Sequence, residues 1–191
     1  LGRPVARLGL GALPMGPLQL GLSPAEGGRL VRAAVEGGIA FIDTATLYGT
    51  YDHIRQGLDG FRGEIVVATK THARKDGALA RQHIEAARQG LGREALDLML
   101  CHCARSPFSA EEWGPTLEAL LAAKTAGRIR LVGISAHTVA AVRADDVVGM
   151  RIAARMPMIA ITTRSSIKVN AAERRTGAGC RRVGRGSSSH R

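Results

Sequence analysis

The chain predicts an α/β fold: a parallel (β/α)8 barrel of the TIM type, truncated after about six strands. Short apolar runs alternate with longer amphipathic stretches, the pattern of repeated βα units around a parallel sheet. Polar residues able to do chemistry stand at the ends of those runs, where a barrel gathers its active-site groups. The alternation stops after Thr163, and the chain has 191 residues, whereas a closed barrel takes eight units and typically about 250 residues.

The elements follow in order. Arg7–Leu13 reads as the first barrel strand, with room for a short strand before it. Ser23-Pro-Ala-Glu26 starts a helix: Ser23 caps it, Pro24 suits the first turn, and Glu26 has the spacing that completes a capping box. Leu30, Val31, Ala34 and Val35 give that helix an apolar face, and Gly37-Gly38 ends it. Residues 39–42 form a strand, about 50–58 a helix, 64–69 a strand, and about 78–91 a helix. Leu96–Cys101 is the next strand, followed after a long loop by a helix from about Ala110 to Ala126 with Leu117, Leu120 and Leu121 on one side. Residues 128–134 form another strand, a helix starts near Thr138–Arg143, and Met156–Thr162 supplies one more strand. Two regions result: residues 1–163 as the partial barrel, and residues 164–191 as a basic Gly/Ser/Arg-rich tail expected to be disordered.

Composition narrows the function. With 45% hydrophobic residues the chain can bury a core, and no apolar run reaches the roughly 18–20 residues that cross a bilayer. The three cysteines, Cys101, Cys103 and Cys180, make a poor disulfide framework, so a soluble cytoplasmic protein is expected. The formal charge of +11 is concentrated late: Arg164, Lys168, Arg174, Arg175, Arg181, Arg182, Arg185 and Arg191 face Glu173 alone. That tail could attract phosphates, yet it lacks aromatics to stack bases, so no specific nucleic-acid partner is expected.

The chemistry rests on four residues. Asp43 and Tyr48 follow one strand run, Lys70 ends the next, and His102 ends the one after. A phenol has a pKa near 10, and a neighbouring ammonium lowers it by stabilising the phenolate. Lys70 is therefore expected to activate Tyr48 as a proton donor, Asp43 to hold Lys70 by a charge-assisted hydrogen bond, and His102 to orient and polarise a substrate carbonyl. No side chain donates hydride, which implies a nicotinamide cofactor.

These residues resemble the aldo/keto reductases, NADPH-preferring barrel oxidoreductases. The resemblance spans about Ala6 to Asp145 and rests on Gly9–Gly16, Gly38–Gly49, the Lys70 strand end, Asp97–His102 and Gly127–Ser135. It implies a catalytic tetrad of Asp43, Tyr48, Lys70 and His102, and cofactor contacts at Gly11, Ser135 and His137. Ser135 matches the family's serine on the nicotinamide carboxamide; where asparagine commonly follows, this chain has Ala136 and His137, as in a bacterial subgroup with Ser-x-His. Lys168–Arg174 is similar to that subgroup's continuation of the sixth strand, and the family's loops for the pyrophosphate and 2′-phosphate would lie beyond it. The resemblance implies interconversion of aldehydes or ketones and alcohols with NADPH, or NADH, on a small-molecule carbonyl substrate. The alternative is a catalytically incompetent part of a barrel, serving as an interaction module or needing a further C-terminal half.

Other signals have simpler readings. Cys101-His102-Cys103 looks like a metal cluster, but strand alternation places His102 opposite both sulfurs, so no metal site is expected. His53, His72, His83 and His137 are scattered and read mostly as surface or loop residues; Trp113 either lines the substrate pocket or packs. Gly9-Leu-Gly-Ala-Leu lacks the third glycine and the following helix of a dinucleotide fingerprint, which excludes a Rossmann domain.

Overall fold

A computed structural model describes residues 8–104 and 109–137, and the backbone of 159–162. The expected strand before Arg7, the helix near Thr138–Arg143 and the tail lie outside the described residues.

Among the described residues, six parallel strands form one sheet in chain order: β1 Leu10–Gly11, β2 Phe41–Asp43, β3 Val66–Thr71, β4 Leu96–Ala104, β5 Ile129–Ala136 and β6 Ile159–Thr162. Helices α1 Pro24–Glu36, α2 Tyr51–Leu58, α3 Gly77–Leu91 and α4 Ala110–Thr125 connect the first five. Spatial order that equals chain order is barrel topology; a doubly wound sheet would reverse at a switch point. No helix among the described residues is long and apolar enough to cross a membrane.

Local sequence explains the helix ends. Ser23 Oγ accepts from the Glu26 N–H, and the Glu26 carboxylate accepts from the Ser23 N–H, so the expected capping box is present on both sides. Asp76 and Ser109 cap α3 and α4 through the N–H groups of Leu79 and Glu112. The buried stripe of α1 is Gly27, Gly28, Val31 and Val35, while Leu30, expected on the apolar face, is 51% exposed. Close packing against α2 shifts the stripe: a Cβ on Gly57 of α2 would stand 2.5 Å from the Val31 Cβ, so the helices meet through glycines rather than through Leu30. On α4 the buried face runs through Trp113, Thr116, Leu117 and Leu120, at helical spacing. Trp113 is fully buried in the core, which decides for packing over pocket lining.

Two layers flank the sheet. The larger core sets Val31, Val35, Ile54, Ile84, Leu91, Trp113 and Leu120 from the helices against Ile42, Val67, Met99, Cys101, Val132 and Ile134 from the strands. The smaller joins Ala68, Leu98 and Leu100 with Phe41 and Leu131 on the opposite, barrel-interior face. Period-2 alternation then carries that interior face from Phe41 to Asp43, from Ala68 to Lys70, from Leu100 to His102 and from Leu131 to Ser135.

At the other end of β4, Asp97 is a buried node that the sequence reading passed over. Its carboxylate accepts from the Val67 N–H at 3.0 Å, meets Arg93 and lies 3.7 Å from Arg130. Its position at the amino ends of the strands, away from the chemistry, marks it as an anchor of the sheet.

Candidate active site

Strand register converges the site residues. Asp43 is level with Ala68, two positions before Lys70, and Lys70 is level with Leu100, two positions before His102. This stagger, the shear of tilted barrel strands, lifts each successive side chain to the same rim. Gly11 is level with Asp43, and no atom of the described residues lies within 4 Å of a Cβ placed on it, so those residues leave the rim open there.

Tyr48 comes from the β2–α2 connection, and a threonine–tyrosine network pins that segment. Thr46 Oγ1 donates to the Lys70 carbonyl at 2.9 Å, Thr44 and Thr50 share a hydroxyl hydrogen bond of 2.8 Å, and Tyr51 Oη bonds Thr69 Oγ1 at 2.7 Å. The β1–α1 loop backs it: a Cβ on Gly16 would stand 2.1 Å from the Tyr48 carbonyl oxygen.

At the rim, Lys70 Nζ donates to Asp43 Oδ2 at 2.7 Å and to the Thr44 carbonyl at 2.8 Å, with the lysine side chain 1% exposed. The same ammonium lies 5.1 Å from the centre of the Tyr48 ring. Tyr48 Oη is 3.3 Å from His102 Nε2, and the two rings meet edge to face with centroids 5.6 Å apart. The structure thus brings together the four residues singled out from the sequence.

The electrostatics correct one expectation. Lys70 does not pull the Tyr48 phenol below its ordinary range: burial, then the charges of Asp43 and Cys103, push it up to about 12. The Asp43 carboxylate at Lys70 opposes the field that the ammonium would exert on the ring. Burial pushes Lys70 down, against the pull of Asp43. His102 is pushed down to about 4 by burial and then by Lys70, His72, His137 and Arg74, so its imidazole is neutral near pH 7. A protonated phenol beside a neutral imidazole can donate one proton and one hydrogen bond to an oxygen placed between them.

Ser135 is buried at the end of β5, and its Oγ accepts from the Cys103 N–H at 3.2 Å. His137 follows it, with Nε2 3.1 Å from Cys103 Sγ. That contact overturns a second expectation. Cys101 does oppose His102, packed in the helix-side core, but Cys103 does not. The register slips between Cys101 and Ala104, and Cys103 adopts φ 58°, so its thiol acts on Tyr48 and Lys70 instead of joining Cys101. A third correction concerns two histidines read as surface or loop groups. His53 and His83 are buried, bonded to the Leu22 carbonyl at 2.8 Å and to Thr71 Oγ1 at 2.7 Å. Among the described residues no group of three His, Cys, Asp or Glu side chains could hold a metal ion.

Two groups of the rim could hold part of a bound cofactor. Asp43 Oδ1 is buried with no hydrogen-bond partner among the described residues, an acceptor left over for a sugar hydroxyl. It lies next to the open space at Gly11, and Ser135 supplies a further hydroxyl two strands beyond Lys70.

The sequence profile of the aldo/keto reductase family matches residues 7–169, and the chain belongs to that family. A 2,5-diketo-D-gluconic acid reductase B from a Corynebacterium species is 30% identical over 141 residues, covering 72% of this chain and 48% of that protein. An aldo-keto reductase from Mycolicibacterium vanbaalenii is 31% identical over 153 residues, covering 77% of this chain and 50% of that protein. The crystal structure of a Bombyx mori aldo-keto reductase in complex with NADP superposes with a TM-score of 0.66 at 23% identity, covering 83% of this chain and 54% of that one. The chain thus spans about half the length of the curated relatives it matches.

Proposed function

We propose that the rim is the carbonyl-handling centre of a nicotinamide-dependent oxidoreductase that interconverts aldehydes or ketones and alcohols. The observation that carries this reading is the pairing of Tyr48 Oη with His102 Nε2 at 3.3 Å beneath an open rim, with the Lys70 ammonium on the ring and Asp43 on the ammonium. The nicotinamide, NADPH before NADH, supplies the hydride when bound.

The chain's residues do the rest. Neutral His102 orients the substrate carbonyl by a hydrogen bond. Tyr48, protonated at rest, gives its proton to the carbonyl oxygen, and in the reverse direction takes it back. Lys70 stabilises the phenolate that develops, and Asp43 keeps the ammonium charged in a buried place. Asp43 Oδ1, Gly11, Ser135 and His137 flank the side where the nicotinamide and its sugar would lie. The Corynebacterium relative named for a diketo acid and the Bombyx mori relative solved with NADP support the substrate class and the cofactor.

Calorimetric titration with NADPH, alongside a chain ending near Thr163 that removes the basic tail, tests the reading. Saturable binding near one equivalent in both, with carbonyl reduction lost in Tyr48→Phe, is the expected result. Heat that vanishes with the tail would leave the barrel portion without a nicotinamide site.

A further inference from the structure

Cys103 and His137 form a pair whose sulfur the carbonyl reading does not use, and whose imidazole it uses only as a flank of the nicotinamide side. The sulfur stands 3.1 Å from His137 Nε2; the thiol is half-buried and the imidazole exposed, so reagents in solution can reach both. The pair is built by the fold. Regular alternation would put Cys103 with Cys101 against the helices, and the slipped register after Cys101 turns it to the rim instead. Both sides of the residue are tied: the Arg74 guanidinium donates to its carbonyl at 2.9 Å, and its N–H donates to Ser135 Oγ at 3.2 Å. Arg74 is itself held by Glu112 at 3.0 Å and lies over the ring of buried Trp113. Negative charge on Cys103 raises the pKa values of Tyr48 and Lys70, which places the sulfur among the rim's titratable groups.

We propose that Cys103 and His137 are a nucleophilic dyad and a covalent modification site for soft electrophiles, specifically alkenes conjugated to a carbonyl. His137, in the tautomer with its proton on Nδ1, takes the thiol proton on Nε2. The sulfur bonds to the β-carbon as the carbon–carbon π bond breaks, and the electron pair moves to the enolate. The imidazolium returns the proton to the α-carbon, leaving a thioether and neutral His137. No oxidant, reductant or leaving group takes part. Cys101 does not compete, because it is fully buried and burial holds its thiol far above the ordinary range.

The test uses the full chain carrying Cys180→Ser, so that Cys101 and Cys103 are the remaining thiols. N-ethylmaleimide serves as the conjugated carbonyl, and adducts are timed and placed by intact and peptide mass spectrometry. One adduct, on Cys103, should form faster than on glutathione at pH 7 and at least about tenfold faster than in Cys180→Ser/His137→Gln, given what a positioned base contributes. Cys103→Ser should abolish it. An equal rate with and without His137, a rate no faster than glutathione, or labelling at Cys101 would overturn the proposal. The glutathione comparison needs no His137 variant and stands even if that variant fails to fold. The readout is covalent mass, so it is independent of nicotinamide binding and turnover.

Discussion

The Lys70 ammonium reaches across from β3 to place Nζ 2.7 Å from Asp43 Oδ2 on β2, with the lysine side chain 1% exposed and the aspartate 23% exposed. Two charges on adjacent strands are thereby committed to each other at the barrel rim, and each is costly without its partner.

Breaking this pair from one side should destabilise the chain strongly. Lys70→Met and Asp43→Asn are each expected to cost about 3–5 kcal/mol, the usual range for removing one partner of a buried pair, with Asp43→Asn nearer the lower end because the aspartate side chain is 23% exposed. The double variant should lose less than the two single losses together. Denaturant unfolding of the four chains checks this, and strict additivity would mean that the two groups do not interact.

Tyr48 should hold its proton until about pH 12, above the ordinary phenol range near 10. Absorbance titration of the phenolate in a Tyr51→Phe chain isolates it, since the chain has two tyrosines. The sign follows for stability: between about 10 and 12 the unfolded chain has released a proton that the folded chain keeps, so stability falls as pH rises through that window. Asp43→Asn removes one cause of the upward shift and should lower the midpoint.

His102 should stay neutral down to about pH 4. Between that value and the ordinary 6.5 the unfolded chain binds a proton that the folded chain refuses, so this contribution to stability is lost as pH falls through the window. NMR titration of the ring protons reads it directly. A midpoint near 6.5 would mean that the imidazole is solvated and not seated beside Tyr48.

Gly16→Ala should disturb Tyr48 without touching its side chain. The added Cβ would lie 2.1 Å from the Tyr48 carbonyl oxygen, so the loop must shift, at roughly the 1–3 kcal/mol of an overpacked site. The check is a lowered unfolding midpoint together with a changed Tyr48 titration; an unchanged titration would show that the loop does not position the phenol.

Much of the fold is legible in the amino-acid sequence. The capping box at Ser23 and Glu26 and the order of strands and helices follow from local spacing, because capping and periodicity act over a few residues. Boundaries moved where pairing decides them: the first strand shrinks to Leu10–Gly11, and the third extends to Thr71 with Lys70 inside it. The identity of Asp43, Tyr48, Lys70 and His102 as a group was legible too, since each stands at or near the end of an apolar run.

The sequence by itself determined which chemistry-bearing residues end the strands and which face of each strand they share, because both depend on a period of two along one run. Only the tertiary structure decided their proton affinities and the turn of Cys103. Burial and the Asp43 charge keep the Tyr48 proton on, where a pairwise reading of Lys70 and Tyr48 had it loosened. The slipped register between β4 and β5 brings Cys103 to His137. The burial of Tyr48 against His102 and the approach of Cys103 to His137 both join segments distant in sequence, which meet only once the strands are side by side.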